Sequence, residues 1–206
     1  AFAASSYYTN GLAVLPALTD IVDLVDVFAQ KETTPTQVLL TGVSEGGLIT
    51  ALAVEQHPDV FDGGLAMCGP YGDFKLQADY VGHARVVFDY FFPGLMPGSP
   101  VSIPTSLIET WETSYYTDTI LPVLENPANA VSITQMLQVV GIPPYEFDPP
   151  DSTAAIERLL WYSVYATNDA KTKLGGQPFD NTMYVYQGAQ DDAALNAGVQ
   201  RFTADI

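Results

Sequence analysis

The six residues Gly42–Gly47, which read GVSEGG, constrain this chain more than any other feature. They overlap the end of a β-branched and leucine-rich run, Val38–Val43, that is short enough to be a buried strand. Leu48–Gln56 follows as a helix candidate, and Pro58 stops it. The sequence therefore predicts a strand, a sharp turn and a helix, with Ser44 on the turn.

A serine on such a turn has a specific chemical use. We expect glycine to be required at Gly42 and Gly46, because side chains there would collide with the neighbouring strand and helix. The Ser44 hydroxyl would stand above the sheet as a nucleophile. The backbone N–H of Glu45, at a helix N-terminus, would donate to an oxyanion. An ordinary strand–helix turn is the alternative.

Strand and helix candidates alternate through residues 1–74. Phe2–Ser6 predicts a short strand, Thr19–Gln30 an amphipathic helix capped by its first or second residue, and Gly63–Cys68 another strand. This alternation is typical of a parallel sheet with helices on both faces. We therefore predict an α/β fold with its core in residues 1–74.

The pattern changes after residue 74. A stretch rich in proline, glycine and aromatic residues follows, and apolar periodicity then predicts helices at Ser132–Val140 and Thr153–Ala166. The alternation of strand and helix candidates does not continue here. We predict a mainly helical insertion over residues 75–180.

The last segment, residues 181–206, predicts a strand at Met183–Gln187 and a helix at Ala193–Phe202, ending the insertion or returning to the core. Asp191 follows this strand candidate in the manner of a catalytic acid. The alternative, which we favour, is that Asp191 and Asp192 cap the helix.

Residues 1–73 resemble the α/β-hydrolase superfamily, and more narrowly bacterial esterases and peptidase-like hydrolases with a helical lid inserted after the strand that follows the serine turn. The resemblance implies that Ser44 is the nucleophile and the Glu45 amide one oxyanion donor. It implies hydrolysis of a small carboxylic ester through an acyl-enzyme, with no cofactor and no metal. A peptidase-like hydrolase and a non-catalytic binding domain are the alternatives.

The catalytic partners of Ser44 are not evident. The family order is serine, then acid, then histidine, yet no histidine follows His83. We expect His57 to lie at a helix end and His83 at a surface or core edge, with a lid histidine folding over the serine as the alternative for His83. The acid and histidine strands are expected beyond Ile206, and the chain alone is expected to be weakly active or inactive. A truncated sheet would expose apolar faces and favour association with missing segments or another copy.

Composition excludes several partners. Seven basic residues against 24 acidic ones give a net charge of −17, which argues against binding to nucleic acid or an anionic membrane surface. No apolar run is long enough for a membrane span. The single cysteine, Cys68, is expected to be buried in its strand. The compartment, secreted or cytoplasmic, stays open.

An acidic turn and a set of aromatic residues remain as candidate binding features. The acidic turn Asp148–Asp151 is expected to be solvated, since two carboxylates without further ligands make a poor metal site. A set of aromatic residues in the insertion is expected to be mostly core, with two or three facing a substrate: Tyr90, Phe91, Phe92, Trp111, Tyr115, Tyr116, Trp161 and Tyr162.

Overall fold

The computed structural model describes residues 1–143 and 149–206. The chain forms two compact units, Ala1–Phe74 and Lys75–Ile206. The first contains a small parallel sheet, and the described part of the second is mainly helical. Among the described helices, none combines the length and apolarity needed to cross a membrane.

The first unit contains two helices and two strands: α1 (Val14–Lys31), β1 (Leu39–Val43), α2 (Glu45–Gln56) and β2 (Gly63–Met67). The strands are parallel, and their register pairs Leu39 with Gly63 and Val43 with Met67. All four elements were predicted from hydrophobic patterning and are confirmed. The described part of the sheet has only these two strands, so the structure is compatible with an α/β-hydrolase core without containing a complete one.

Small residues allow α2 to lie close to the sheet. A Cβ atom on Gly64 would lie 2.8 Å from Thr50 Cγ2 and 2.9 Å from Val54 Cγ2 on α2. The apolar stripes of the two helices then meet in one core, where burial of each large side chain contributes about 1.5–3 kcal/mol. This core consists of Ala17, Leu18, Ile21, Ile49, Ala53 and Phe61.

The opposite face of the sheet is uncovered. Leu39, Val43 and Leu65 are 66%, 59% and 60% exposed. The predicted coverage of both faces is therefore wrong for the described sheet, because α2 packs on the face that carries Gly42 and Gly64. The expected exposed apolar face is present, whereas the association that it would favour stays a prediction.

Three local predictions in the first unit are wrong. Phe2–Ser6 forms no strand. Helix α1 begins at Val14, so neither Thr19 nor Asp20 is its cap. Cys68 is exposed rather than buried, since β2 ends at Met67 and Cys68 turns out of the strand with φ of 50°.

The second unit is built from helices that follow one another closely along the chain. They are α3 (Phe74–Phe91, beginning at the unit boundary), α4 (Thr105–Thr110), a π-helix (Trp111–Ile120), α5 (Leu121–Leu124), a 3₁₀ turn (Pro127–Asn129), α6 (Ala130–Val140), α7 (Ser152–Leu174) and α8 (Asp192–Gly198). The predictions of α6 and α7 are confirmed, and α7 is longer than predicted. Helix α8 ends at Gly198 rather than Phe202, and the predicted strand Met183–Gln187 does not form.

A buried cation lies within the core of this unit. Arg85 on α3 is fully buried, and its Nε donates to both carboxylate oxygens of Asp89 at 2.9 and 3.0 Å. Its Nη2 donates to the carbonyl oxygens of Met96 and Pro97. These bonds tie the segment after α3 to the helix. Burial raises the pKa of Asp89, although the neighbouring guanidinium of Arg85 opposes that shift.

Candidate active site at the Ser44 turn

Ser44 occupies a strained backbone conformation between β1 and α2, with φ of 56° and ψ of −125°. A non-glycine residue with positive φ costs of the order of 1–3 kcal/mol, so the surrounding bonds must enforce it. The Ser44 N–H donates to the Met67 carbonyl at 3.0 Å, and the Ser44 carbonyl accepts from Gly47 N and Leu48 N at 2.9 and 3.2 Å. The turn is therefore fastened both to β2 and to the first turn of α2.

The Ser44 hydroxyl is not used as a helix cap. A serine at the N-cap position usually accepts a hydrogen bond from the second or third N–H of the helix. The Ser44 side chain makes no such bond, and the residue is exposed. The geometry thus presents the hydroxyl to solvent, as the sequence predicts for a nucleophile.

The glycines act differently from the prediction. A Cβ on Gly42 would lie 2.1 Å from the Gly46 carbonyl oxygen, so glycine is required there, as predicted. The prediction for Gly46 is wrong, since a Cβ there would meet nothing within 4 Å. Gly47 is the second crowded position, because its Cβ would lie 2.5 Å from the Met67 carbonyl oxygen and 3.1 Å from the Tyr71 hydroxyl. The adjacent glycine in the motif was the signal that sequence reasoning missed.

The Glu45 backbone N–H opens helix α2. The first N–H groups of a helix have no acceptor within it, and the helix dipole makes this end electropositive. The Glu45 side chain has a second role, which the sequence did not suggest. Its Oε1 accepts a hydrogen bond from the Ala13 N–H, 2.6 Å away, just before α1 begins. Glu45 thus joins the N-terminal segment to the Ser44 turn.

Tyr7 and Tyr8 extend this connection. Burial, and then the negative charges of Glu45 and Asp20, raise the pKa of Tyr7. The Tyr8 N–H donates to the Asp20 carboxylate at 2.7 Å. Tyr7 has φ of 54°, a further strained position in this segment. Carboxylates on α1 and α2 therefore hold the N-terminal segment in place. No strand forms there, although the sequence predicted one at Phe2–Ser6.

His57 lies at the far end of α2 from Ser44. It is the C-cap of the helix, and its N–H donates to the Ala53 carbonyl at 2.8 Å. A helix of 12 residues is roughly 18 Å long at 1.5 Å per residue. The predicted helix-end position is confirmed, and His57 is too distant to take a proton from the Ser44 hydroxyl.

His83 lies on α3 in the second unit, partly buried among aromatic rings. Its Nδ1 is 2.9 Å from the Tyr186 hydroxyl, and its ring lies 3.9 Å from the Tyr184 ring centroid. The Phe179 ring meets the His83 ring edge-on, and the two ring centroids are 5.3 Å apart. Burial lowers the pKa of His83 to about 4, against a weaker opposing effect of Asp79. This imidazole is therefore neutral at pH 7.

The acidic candidates serve as helix caps. The Asp191 carboxylate accepts from the Ala194 N–H at 2.9 Å, so the capping interpretation is confirmed for Asp191. It is wrong for Asp192, which is the first residue of α8 and accepts from the Ala189 N–H at 2.8 Å instead. Asp151 caps α7 through the Ala154 N–H at 3.0 Å, while Asp148 lies outside the described residues. Among the described residues, no group of three or more histidine, cysteine or acidic side chains is placed to hold a metal ion.

The aromatic candidates divide between core and cavity. Phe92 and Trp111 are buried in the core of the second unit. Trp111, Tyr116, Trp161 and Tyr162 also line a cavity in that unit. The expectation that a few of these rings would face a ligand is therefore compatible with the geometry, although the substrate is a separate question.

Comparison with known proteins gives one match. Residues 15–77 match the sequence model of the prolyl oligopeptidase family, a member of the α/β-hydrolase superfamily. The match runs from α1 through the Ser44 turn and β2 into α3, and covers less than half of the chain. No curated protein and no solved structure gives a significant match. The matched segment, which contains the Ser44 turn, is thus similar to part of an α/β-hydrolase-type serine hydrolase.

Proposed function

We propose that this protein is a serine hydrolase with Ser44 as its nucleophile and the Glu45 N–H as one oxyanion donor. The observation that carries the proposal is the Ser44 turn. An exposed serine is held at positive φ between a parallel strand and a helix, and its hydroxyl is withheld from capping. Strain of this kind persists at functional sites because the surrounding structure enforces it.

The reaction proposed is acyl transfer to water. The Ser44 oxygen attacks the acyl carbon, the alcohol or amine leaves with a proton, and water then hydrolyses the acyl-enzyme. A base must take the serine proton in the first step. His57, the histidine of the first unit, is excluded by its distance along α2, so a histidine base would have to come from outside this unit. The chain alone is expected to turn over substrate weakly, since loss of a triad base costs several orders of magnitude in rate.

The substrate proposed is a carboxylic ester. The second candidate is a peptide bond, which the match to the prolyl oligopeptidase family favours. Both reactions use the same nucleophile and oxyanion donor, so comparison of a p-nitrophenyl ester with a prolyl p-nitroanilide separates them. A higher kcat/KM for the anilide would replace the ester proposal with the peptidase one.

Covalent labelling tests the nucleophile directly. The protein expressed from its full reading frame is treated with a fluorophosphonate probe, and the modified residue is located by mass spectrometry. Label at Ser44, lost in Ser44→Ala and retained in the matched control Ser106→Ala, supports the proposal. Ser106 is exposed on α4 in the second unit. Absence of label at Ser44 overturns the proposal in favour of a non-catalytic domain.

Turnover by the 206-residue chain tests the missing base. Weak turnover of p-nitrophenyl acetate is the expected result. Robust turnover abolished by Ser44→Ala would show that the base lies within the chain, and His83→Ala would then identify or exclude the imidazole of the second unit. His57→Ala is the matched control, because the length of α2 separates it from the serine.

A further inference from the structure

A cavity of about 520 Å³ lies in the second unit, and none of the residues that line it belongs to the Ser44 turn. The π-helix provides Trp111 and Tyr116, and α7 provides Trp161 and Tyr162. We call these four residues the aromatic cage. Trp161 and Tyr162 are 36% and 43% exposed, so the cavity is open to solvent. Its volume suits a small organic ligand.

The π-helix brings two of these rings together. Residues five apart in an α-helix point in different directions, because each residue turns the chain by about 100°. Hydrogen bonding between residues i and i+5 winds the chain more loosely and brings them closer to the same face, and such segments are rare and frequently found at functional sites. The ring centroids of Trp111 and Tyr116 lie 5.8 Å apart at 38°. The unusual helix thus builds one wall of the cage.

Two carboxylates brace the cage reciprocally. The indole N–H of Trp161 on α7 donates to Glu112 Oε1 of the π-helix at 2.9 Å. In return, the indole N–H of Trp111 on the π-helix donates to the Glu157 carboxylate of α7. A hydrogen bond from an indole to an anion shifts electron density into the ring. Trp111 is only 1% exposed and supports the cage from behind, so the exposed face of Trp161 is the one that becomes a better partner for a positive charge.

The charged groups around the cavity also favour a positively charged ligand. Burial, and then the charges of Glu157, Asp151 and Glu125, raise the pKa of Tyr116 to about 12. One cation, Arg158, also lines the cavity beside the two carboxylates that brace the cage. Negative charge therefore exceeds positive charge at this site, and a cationic ligand would be attracted.

We propose that the aromatic cage binds an alkylated ammonium group. Such a cation combines a positive charge with an apolar surface, and ring faces attract it without requiring hydrogen bonds from the ligand. The oxygen of Glu112 nearest the cage already accepts from Trp161, so charge rather than a further hydrogen bond is what it offers. An anionic ligand would be repelled by the same carboxylates.

Tryptophan fluorescence tests this proposal with little ambiguity. The chain has two tryptophans, and both belong to the cage, so the whole indole emission reports on it. Choline is titrated beside 3,3-dimethyl-1-butanol, which has the same shape without the charge. We expect saturable quenching by choline and binding of the neutral compound at least about tenfold weaker. Calorimetry measures the same ratio without an optical probe.

Variants separate charge from shape. Glu157→Gln should weaken choline binding, and Trp161→Leu should weaken it by roughly tenfold, with Trp161→Phe intermediate because a ring face remains. Arg158→Gln should tighten binding, since it removes the competing positive charge. Glu109→Gln, at an exposed residue of α4 that does not line the cavity, is the matched control and should leave binding unchanged. Circular dichroism establishes that each variant is folded.

The outcomes decide the proposal. Equal binding of the neutral compound, absence of saturable choline binding, or weaker choline binding in Arg158→Gln would each overturn it. Preference for methyl glucoside or benzoate over choline would do the same. A peptide bearing trimethyllysine is compared with free choline: tighter binding of the peptide assigns the cation to a modified protein side chain, and tighter binding of choline assigns it to a small metabolite.

Discussion

Protonation of His83 should destabilise the second unit in mildly acidic solution. The neutral ring fits its surroundings, because the Tyr186 hydroxyl accepts from the Asn181 amide at 3.0 Å and can donate its own proton to His83 Nδ1. A proton on that nitrogen would remove this acceptor and place a charge between aromatic rings. Burial of the ring disfavours its charged form and lowers the pKa of His83 from 6.5 to about 4.

The sign and size of the effect follow from linkage. Between pH 6.5 and about 4 the unfolded chain binds a proton at His83 and the folded chain does not, so the free energy of unfolding falls as the pH is lowered through this window. The whole shift corresponds to about 3 kcal/mol. Because the ring keeps some contact with solvent, which screens its charge, we expect about half of that value.

Two measurements check this expectation. The chain has two histidines, so NMR titration of the imidazole C–H groups gives two signals, of which one should have its midpoint near pH 4 and disappear in His83→Gln. Denaturant unfolding followed by tryptophan fluorescence reports on the second unit, where both Trp111 and Trp161 lie. Its stability should fall less steeply with acidification in His83→Gln than in the wild type or in the control His57→Gln. Midpoints between pH 6 and 7 for both signals would refute the reasoning.

Two further perturbations test the packing. Gly42→Ala should destabilise the first unit by about 3 kcal/mol, because its Cβ would lie 2.1 Å from a carbonyl oxygen. Gly46→Ala should be neutral or slightly stabilising, because its Cβ would meet nothing within 4 Å. Equal effects of the two substitutions in thermal unfolding would contradict the roles assigned to these glycines. Arg85→Met should cost about 3–5 kcal/mol in denaturant unfolding because it leaves the Asp89 carboxylate partly buried and unpaired, and adding Asp89→Leu should recover part of the loss. A double variant less stable than Arg85→Met would show that the pair is not the cause.

Local patterns predicted the elements that pack through their own apolar stripes. Helices α1, α2, α6 and α7 and both strands were identified in this way, and so was the turn at Ser44. The turn could be recognised because its glycine, its serine and the flanking elements are adjacent in sequence. A base for the proposed nucleophile could not be located in the same way, since in serine hydrolases the histidine reaches the serine through tertiary structure rather than spacing.

The start of α1 shows how a distant contact overrides a local signal. Thr19 and Asp20 are good capping residues, and the sequence placed the helix start there. The structure begins the helix at Val14, where Glu45, 32 residues away, accepts from the Ala13 N–H. Asp20 is then released to accept from the Tyr8 N–H. Both hydrogen bonds join a side chain to a distant backbone N–H, and such contacts produce no periodic pattern in the sequence.

The false strand at Met183–Gln187 has the same physical origin. Its burial alternates only in part, since Met183, Tyr184 and Val185 are 89%, 46% and 66% exposed while Tyr186 is buried. A strand also needs a partner for its backbone, and here side chains take that place. Asn196 accepts from the Tyr186 N–H and donates to the Tyr186 carbonyl, and Arg201 donates to the Tyr184 carbonyl. Because one amide side chain satisfies both backbone groups of the buried residue, the segment stays extended without joining a sheet, and Tyr186 is fixed where its hydroxyl meets His83.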